Sequence, residues 1–106
     1  AGWLYQNTVA NKLIKEYGKS NIFYWMNNAK DEVDFLIMKR KVKQLIQVCY
    51  NLDEAREREI RGLLKASLEL KCKNLLVITD NKEGEETVDK YRVRYIPLWK
   101  WLLEND

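Results

Sequence analysis

The stretch EVDFLIMKRKVKQLIQVCY, residues 32–50, decides how this chain folds. It reads as two strands around a basic turn, because apolar and polar side chains alternate on either side of Lys39, Arg40 and Lys41. With Arg40 and Lys41 at the centre of the turn, Leu36 faces Leu45, Asp34 faces Gln47 and Glu32 faces Cys49. The opposite face carries Val33, Phe35, Ile37, Ile46 and Val48, which reads as a core layer. The first face is divided. It is apolar near the turn and polar away from it, so Asp34 and Gln47 meet at the far end of a strand pair meant to be half buried.

Outward from the hairpin, Trp3 to Gly18 repeats apolar residues at helical spacing, and Gly18 suits the residue that ends such a helix. Asn21 to Met26 is a short aromatic strand before a turn at Asn27-Asn28. Asp53 is expected to cap a long helix reaching about Lys71, with Ile60, Leu63, Leu64 and Leu68 as its apolar stripe. Asn74 to Thr79 is a continuous apolar run, the pattern of a central strand covered on both faces. A polar loop from Asp80 to Gly84, a strand from Tyr91 to Ile96 and a short helix opened by Pro97 complete the chain. The order αβββαββα predicts a layered α/β sheet in a single domain over residues 1–106. On the first helix Gln6 shares a face with Ala10, Leu13 and Tyr17, so Gln6, Asp34, Gln47 and Cys49 are expected to converge.

Composition narrows the chemistry. The chain has 106 residues, 46% hydrophobic and 33% charged, enough for one core, and its net charge of +3 is too small to imply a nucleic-acid partner by itself. Two cysteines with no histidine leave neither a zinc site nor a disulfide framework and point to a reduced, cytoplasmic chain. No apolar run reaches the roughly 20 residues of a membrane span, and the first residues do not read as a signal peptide, so no membrane partner is expected. Without a histidine to activate it, Cys49 is a poor candidate for a nucleophile.

A residue on a first helix, an acid near the end of one strand, a pair spaced x-V-x in the next strand, then a long helix and a buried strand: this ordered set resembles the PD-(D/E)xK nuclease-like superfamily. In particular, LYQNTVANKLIK, IFYWMNNAKDEVDFLI, QLIQVCYN, EREIRGLLKASLELKCKNLLVITD and YIPLWKWLLEND are similar to the nuclease-like C-terminal domain of unknown function that follows the ATPase domain in many archaeal and bacterial AAA-type ATPases. The resemblance spans nearly the whole chain. It implies a restriction-endonuclease-like three-layer α/β/α fold with a mixed central sheet, and a C-terminal fragment of a longer ATPase. The ATPase domain of the same polypeptide is then the expected partner, with DNA bound without sequence preference. No Walker motif occurs here, so hydrolysis would reside on another part of that polypeptide.

The superfamily's active members carry a Glu on the first helix, an Asp at the position of Asp34, and Glu-x-Lys in the next strand. The carboxylates hold Mg²⁺ and the lysine orients the attacking water. Here the helix position is Gln6, the Glu position Gln47 and the Lys position Cys49, and only Asp34 survives. Two carboxylates have become amides and the ammonium a small thiol. The resemblance thus implies a degenerate, non-catalytic nuclease site with no cofactor, in which Asp34 and Glu32 offer at best a weak metal site. A metal-dependent DNA endonuclease with displaced residues, using Mg²⁺ and groups such as Glu32 and Lys43, stays open, as does a pure protein-interaction module.

Plainer readings stand beside these. Gln47 and Cys49 also suit satisfied residues of a covered sheet. Lys39, Arg40, Lys41 and Lys43 are either a solvated turn or a tip that contacts phosphates. Tyr5, Tyr24, Trp25, Trp99 and Trp101 read as core and packing surface rather than a base-stacking platform, and Arg56 to Glu59 as an exposed helix face of alternating charge.

Overall fold

The computed structural model describes residues 2–104. Helix α1 (Gly2–Tyr17) is followed by a single 3-10 turn (Lys19–Asn21), strands β1 (Ile22–Met26), β2 (Glu32–Lys39) and β3 (Lys41–Cys49), and helix α2 (Leu52–Leu70). Strands β4 (Leu75–Thr79), β5 (Gly84–Val88) and β6 (Tyr91–Pro97) then lead into α3 (Leu98–Leu103). The six strands form one mixed sheet in the order β1-β2-β3-β4-β6-β5, with β4 parallel to both β3 and β6 and the other pairs antiparallel.

β4 explains the layering. All five of its residues are buried, because a strand flanked on both sides and covered on both faces can expose nothing. One face packs Leu75 and Val77 with Leu36, Leu45, Tyr95 and the α2 residues Ile60 and Leu63. The other packs Leu76 and Ile78 with Ile46, Ile96, Val9 and Leu13 of α1, and Trp101 of α3. Lys12 binds the two helices of that second layer together: its Nζ donates to the Trp101 carbonyl and, at 3.0 Å, to that of Glu104, and stands 4.2 Å above the Trp101 ring.

The expected element order needs one more strand. Residues 84–88, where the sequence predicts only the end of a polar loop at Gly84 and no strand, form the edge strand β5, joined to β6 by a two-residue turn in which Asp89 (φ 48°) and Lys90 (φ 74°) both take the left-handed conformation. Its sequence GEETV is acidic and largely exposed, as suits a strand that must not pair with another chain, and so lacks the apolar alternation that marks a covered strand.

The hairpin also departs from expectation at three points. The turn closes on Arg40 alone, at φ 73° with Lys39 opposite Lys41, rather than on Arg40 and Lys41 together. Between Ile37–Gln44 and Met38–Val42 one strand advances one residue and the other two, so Lys43 is the extra residue of a bulge. The two departures cancel, and Leu36 still faces Leu45. On the β1 side, Phe23 faces Leu36 but Trp25 faces Val33, which puts a second bulge in β2 at Asp34 and Phe35. That bulge breaks the alternation: Val33 belongs to the α2 layer, whereas Phe35 and Ile37 stay with α1.

The helices show smaller corrections. Asn51, not Asp53, is the N-cap residue of α2, and Leu68 is 71% exposed rather than part of a buried stripe. On α1 the buried positions are Val9 and Leu13, so Gln6 and Tyr17 lie outside the buried stripe and are exposed. Among the described residues no helix is long and apolar enough to cross a membrane.

Candidate functional site

Backbone pairing of β2 with β3 runs from the turn to Phe35–Ile46, and beyond it side chains take over the ladder. Gln47 is fully buried. Its Oε1 accepts the Asp34 N–H at 2.8 Å, while its Nε2 donates to the Glu32 carbonyl at 2.8 Å and to the Glu59 carbonyl of α2 at 3.1 Å. One amide therefore joins β3 to β2 and to α2. An amide suits this place because it both donates and accepts; a carboxylate could only accept. Asp34 answers from the other side, its Oδ2 accepting the Val48 N–H at 2.8 Å and its Oδ1 accepting Gln6 Nε2 at 3.3 Å. The bulge in β2 is what leaves Asp34 free to turn toward β3.

Gln6, Asp34 and Gln47 are thus brought together as the sequence led one to expect. Cys49 lies two residues farther along β3, 4% exposed, its thiol pushed up to about 11 by burial and by the nearby negative charge of Glu59. A thiol so rarely ionised is a packing group rather than a nucleophile.

Glu59 is a site residue that the sequence pattern does not single out. With Gln6, Asp34, Glu32, Arg58 and Lys30 it lines a depression of about 270 Å³ between α2 and the end of β2. Burial first, and the Asp34 carboxylate second, push the Glu59 carboxyl up to about 7; burial likewise raises Asp34, against the pull of the Val48 hydrogen bond. The run Arg56 to Glu59 is therefore not a uniformly solvated face: Arg56 pairs with Glu86 at 2.5 Å and Glu59 turns inward. Gly62 was the available signal. A β-carbon there would meet the Glu32 carbonyl oxygen at 2.1 Å, so Gly62 marks where the helix presses on the sheet, and Glu59, three residues earlier, shares that face.

The chemistry open to this arrangement is limited by what its oxygens already do. Both Asp34 oxygens accept hydrogen bonds, and Glu32, the other proposed metal ligand, accepts the Tyr24 hydroxyl, whose pKa that bond raises to about 12. Among the described residues no three Asp, Glu, Cys or His side chains are placed to hold a metal ion. Lys39, Arg40, Lys41 and Lys43 stay at the turn, six residues from Asp34 to Arg40 along β2, or roughly 20 Å, and do not reach the depression. Of the aromatic set, Trp25 and Trp101 are buried, whereas Tyr24 and Trp99 are exposed at 55% and 62%.

Comparison with known proteins places these residues in a family. The profile of a domain of unknown function, DUF4143, matches residues 1–101. An uncharacterized protein of Methanocaldococcus jannaschii, MJ1544, is 47% identical over 90 residues, covering 78% of this chain and 20% of that protein. The chain thus spans about one fifth of the length of this relative. No solved structure matches.

Proposed function

The chain belongs to the DUF4143 family, and we propose that it is a non-catalytic, nuclease-like accessory domain of an AAA-type ATPase that works by binding rather than by cleavage. The observation that carries this reading is the Gln47 amide. At the position where the nuclease-like superfamily keeps a metal-binding carboxylate, this chain has a fully buried amide whose donor and acceptor atoms are committed to Glu32, Asp34 and Glu59. The mixed sheet with helices on both faces, and the meeting of Gln6 with Asp34, support the restriction-endonuclease-like assignment. A relative about five times as long as the matched segment fits a domain that serves a larger polypeptide, whose ATPase part and DNA are the proposed partners.

A metal-dependent endonuclease with displaced groups has one observation in its favour, the closeness of Asp34 and Glu59 with Lys30 on the rim. Incubating supercoiled plasmid with the chain and Mg²⁺ or Mn²⁺ separates the two. The accessory-domain reading expects uncut plasmid; cleavage abolished by both Asp34→Asn and Glu59→Gln would establish the endonuclease instead.

A further inference from the structure

We infer that the end of the sheet opposite the Gln6–Asp34–Glu59 depression is a phosphate-binding rim that takes the backbone of a nucleic acid. The inference deepens the binding role proposed above and rests on it. Lys39, Arg40, Lys41 and Lys43 supply one side of the rim, at the β2–β3 turn. In the parallel register Leu45 pairs with Leu75, so Lys43 and Lys73 enter neighbouring strands side by side, and Asn74 Nδ2 donates to the Lys43 carbonyl at 3.1 Å. Lys71 stands just before them, at the left-handed C-cap of α2. Leu75 in turn pairs with Val93, which brings Lys90 of the β5–β6 turn beside Lys73. Lys19, on the turn before β1, is placed at the same end by the pairing of Ile22 with Ile37.

All eight cations are exposed, and among the described residues none forms an ion pair. Asp89 lies among them at the β5–β6 turn, Glu16 and Glu69 of the last turns of α1 and α2 are engaged by Lys12 and by the Trp25 N–H, and Glu32, Asp34, Glu54 and Glu59 gather at the other end. The net charge of +3 conceals this separation. The rim crosses three strand spacings from β2 to β6, roughly 15 Å, which is long enough to meet more than one phosphate of a strand. Lysine favours this occupant over a protein surface, because Lys is depleted in protein–protein interfaces whereas flexible ammonium groups suit phosphates read without sequence.

The test is fluorescence anisotropy with a labelled 20-base-pair duplex and the matching single strand, in EDTA so that metal-dependent cleavage cannot enter. Lys43→Ser with Lys73→Ser removes two rim cations. Arg94→Ser with Lys100→Ser removes two ion-paired cations from elsewhere, for the same change in net charge. At low salt the first pair should lose at least tenfold in affinity and flatten the log K against log salt slope by roughly 1.8, while the second changes affinity less than twofold. Equal losses in both pairs, absence of binding by the parent to either nucleic acid, or tighter binding to polyglutamate than to the duplex would overturn the inference. Plasmid cleavage would sink the non-catalytic reading and leave this result untouched.

Discussion

Gly62 of α2 lies so close to Glu32 of β2 that a β-carbon added to it would stand 2.1 Å from the Glu32 carbonyl oxygen. The same carbonyl accepts Gln47 Nε2, so helix, strand and amide meet at one point. Gly62→Ala should therefore destabilise the chain even though alanine is the better helix former. The helix gain is about 1 kcal/mol, while overpacking an interior costs about 1–3 kcal/mol, and a contact with backbone at 2.1 Å belongs at the upper end of that range. Urea unfolding should show a lower midpoint with an unchanged slope; a midpoint at or above the parent's would mean that α2 stands farther from the sheet.

Gln47 tests the same contact from the strand side. Gln47→Leu leaves the Asp34 N–H and the Glu32 carbonyl without their partner and should cost about 3 kcal/mol. Gln47→Glu keeps the acceptor, loses the donor and buries a charge. A carboxyl there holds its proton more tightly in the folded state than in the unfolded one, so the variant should lose stability relative to the parent as pH rises above the ordinary carboxylate range. Melting curves at pH 5 and pH 8 check this; a parent–variant gap independent of pH would refute it.

Glu59 gives the parent chain its own pH dependence. Its folded pKa of about 7 lies above the usual carboxylate value of 4.5, so the folded state binds the extra proton between those values and this group's contribution is lost as pH rises through about 7. Glu59→Gln should flatten the profile over that window and be ~1–2 kcal/mol more stable than the parent at pH 8, after allowance for solvent screening. Denaturant midpoints from pH 5 to pH 8 decide it, and parallel profiles for the two proteins would contradict the placement of Glu59 beside Asp34.

Cys49 should behave as a packing residue. With its thiol pushed up to about 11 and both cysteines buried, a colourless thiol-reactive disulfide should label the native chain slowly at pH 8 and two thiols promptly in denaturant. Rapid native labelling, blocked by Cys49→Ser, would show an open pocket instead.

What could be read in the sequence follows from periodicity. The continuous run of β4, the helical repeats of α1 and α2, and the pairing of Leu36 with Leu45 are strong local signals, and the meeting of Gln6, Asp34 and Gln47 followed from them. The edge strand β5 escaped because its protection is charge, which reads as loop. Val33 lies in the layer opposite to the one its alternation predicts, because a bulge adds a residue without changing the pattern of residue types. The sequence pattern gives no sign that Glu59 turns inward, because its burial depends on how closely Gly62 lets α2 approach, a distance that no period encodes. Of the basic rim only residues 39–43 adjoin in sequence; Lys19, Lys71, Lys73 and Lys90 join them through strand register alone.

The proposed non-catalytic role holds only if the buried amide of Gln47 and the hydrogen-bonded carboxylate of Asp34 form no divalent-metal site. The most direct measurement is isothermal titration of Mn²⁺, and then Mg²⁺, into the parent chain and into Asp34→Asn at pH 8, where Glu59 is ionised and a site would be at its strongest. No saturable binding tighter than millimolar is expected in either protein. Micromolar affinity in the parent, lost in Asp34→Asn, would contradict it.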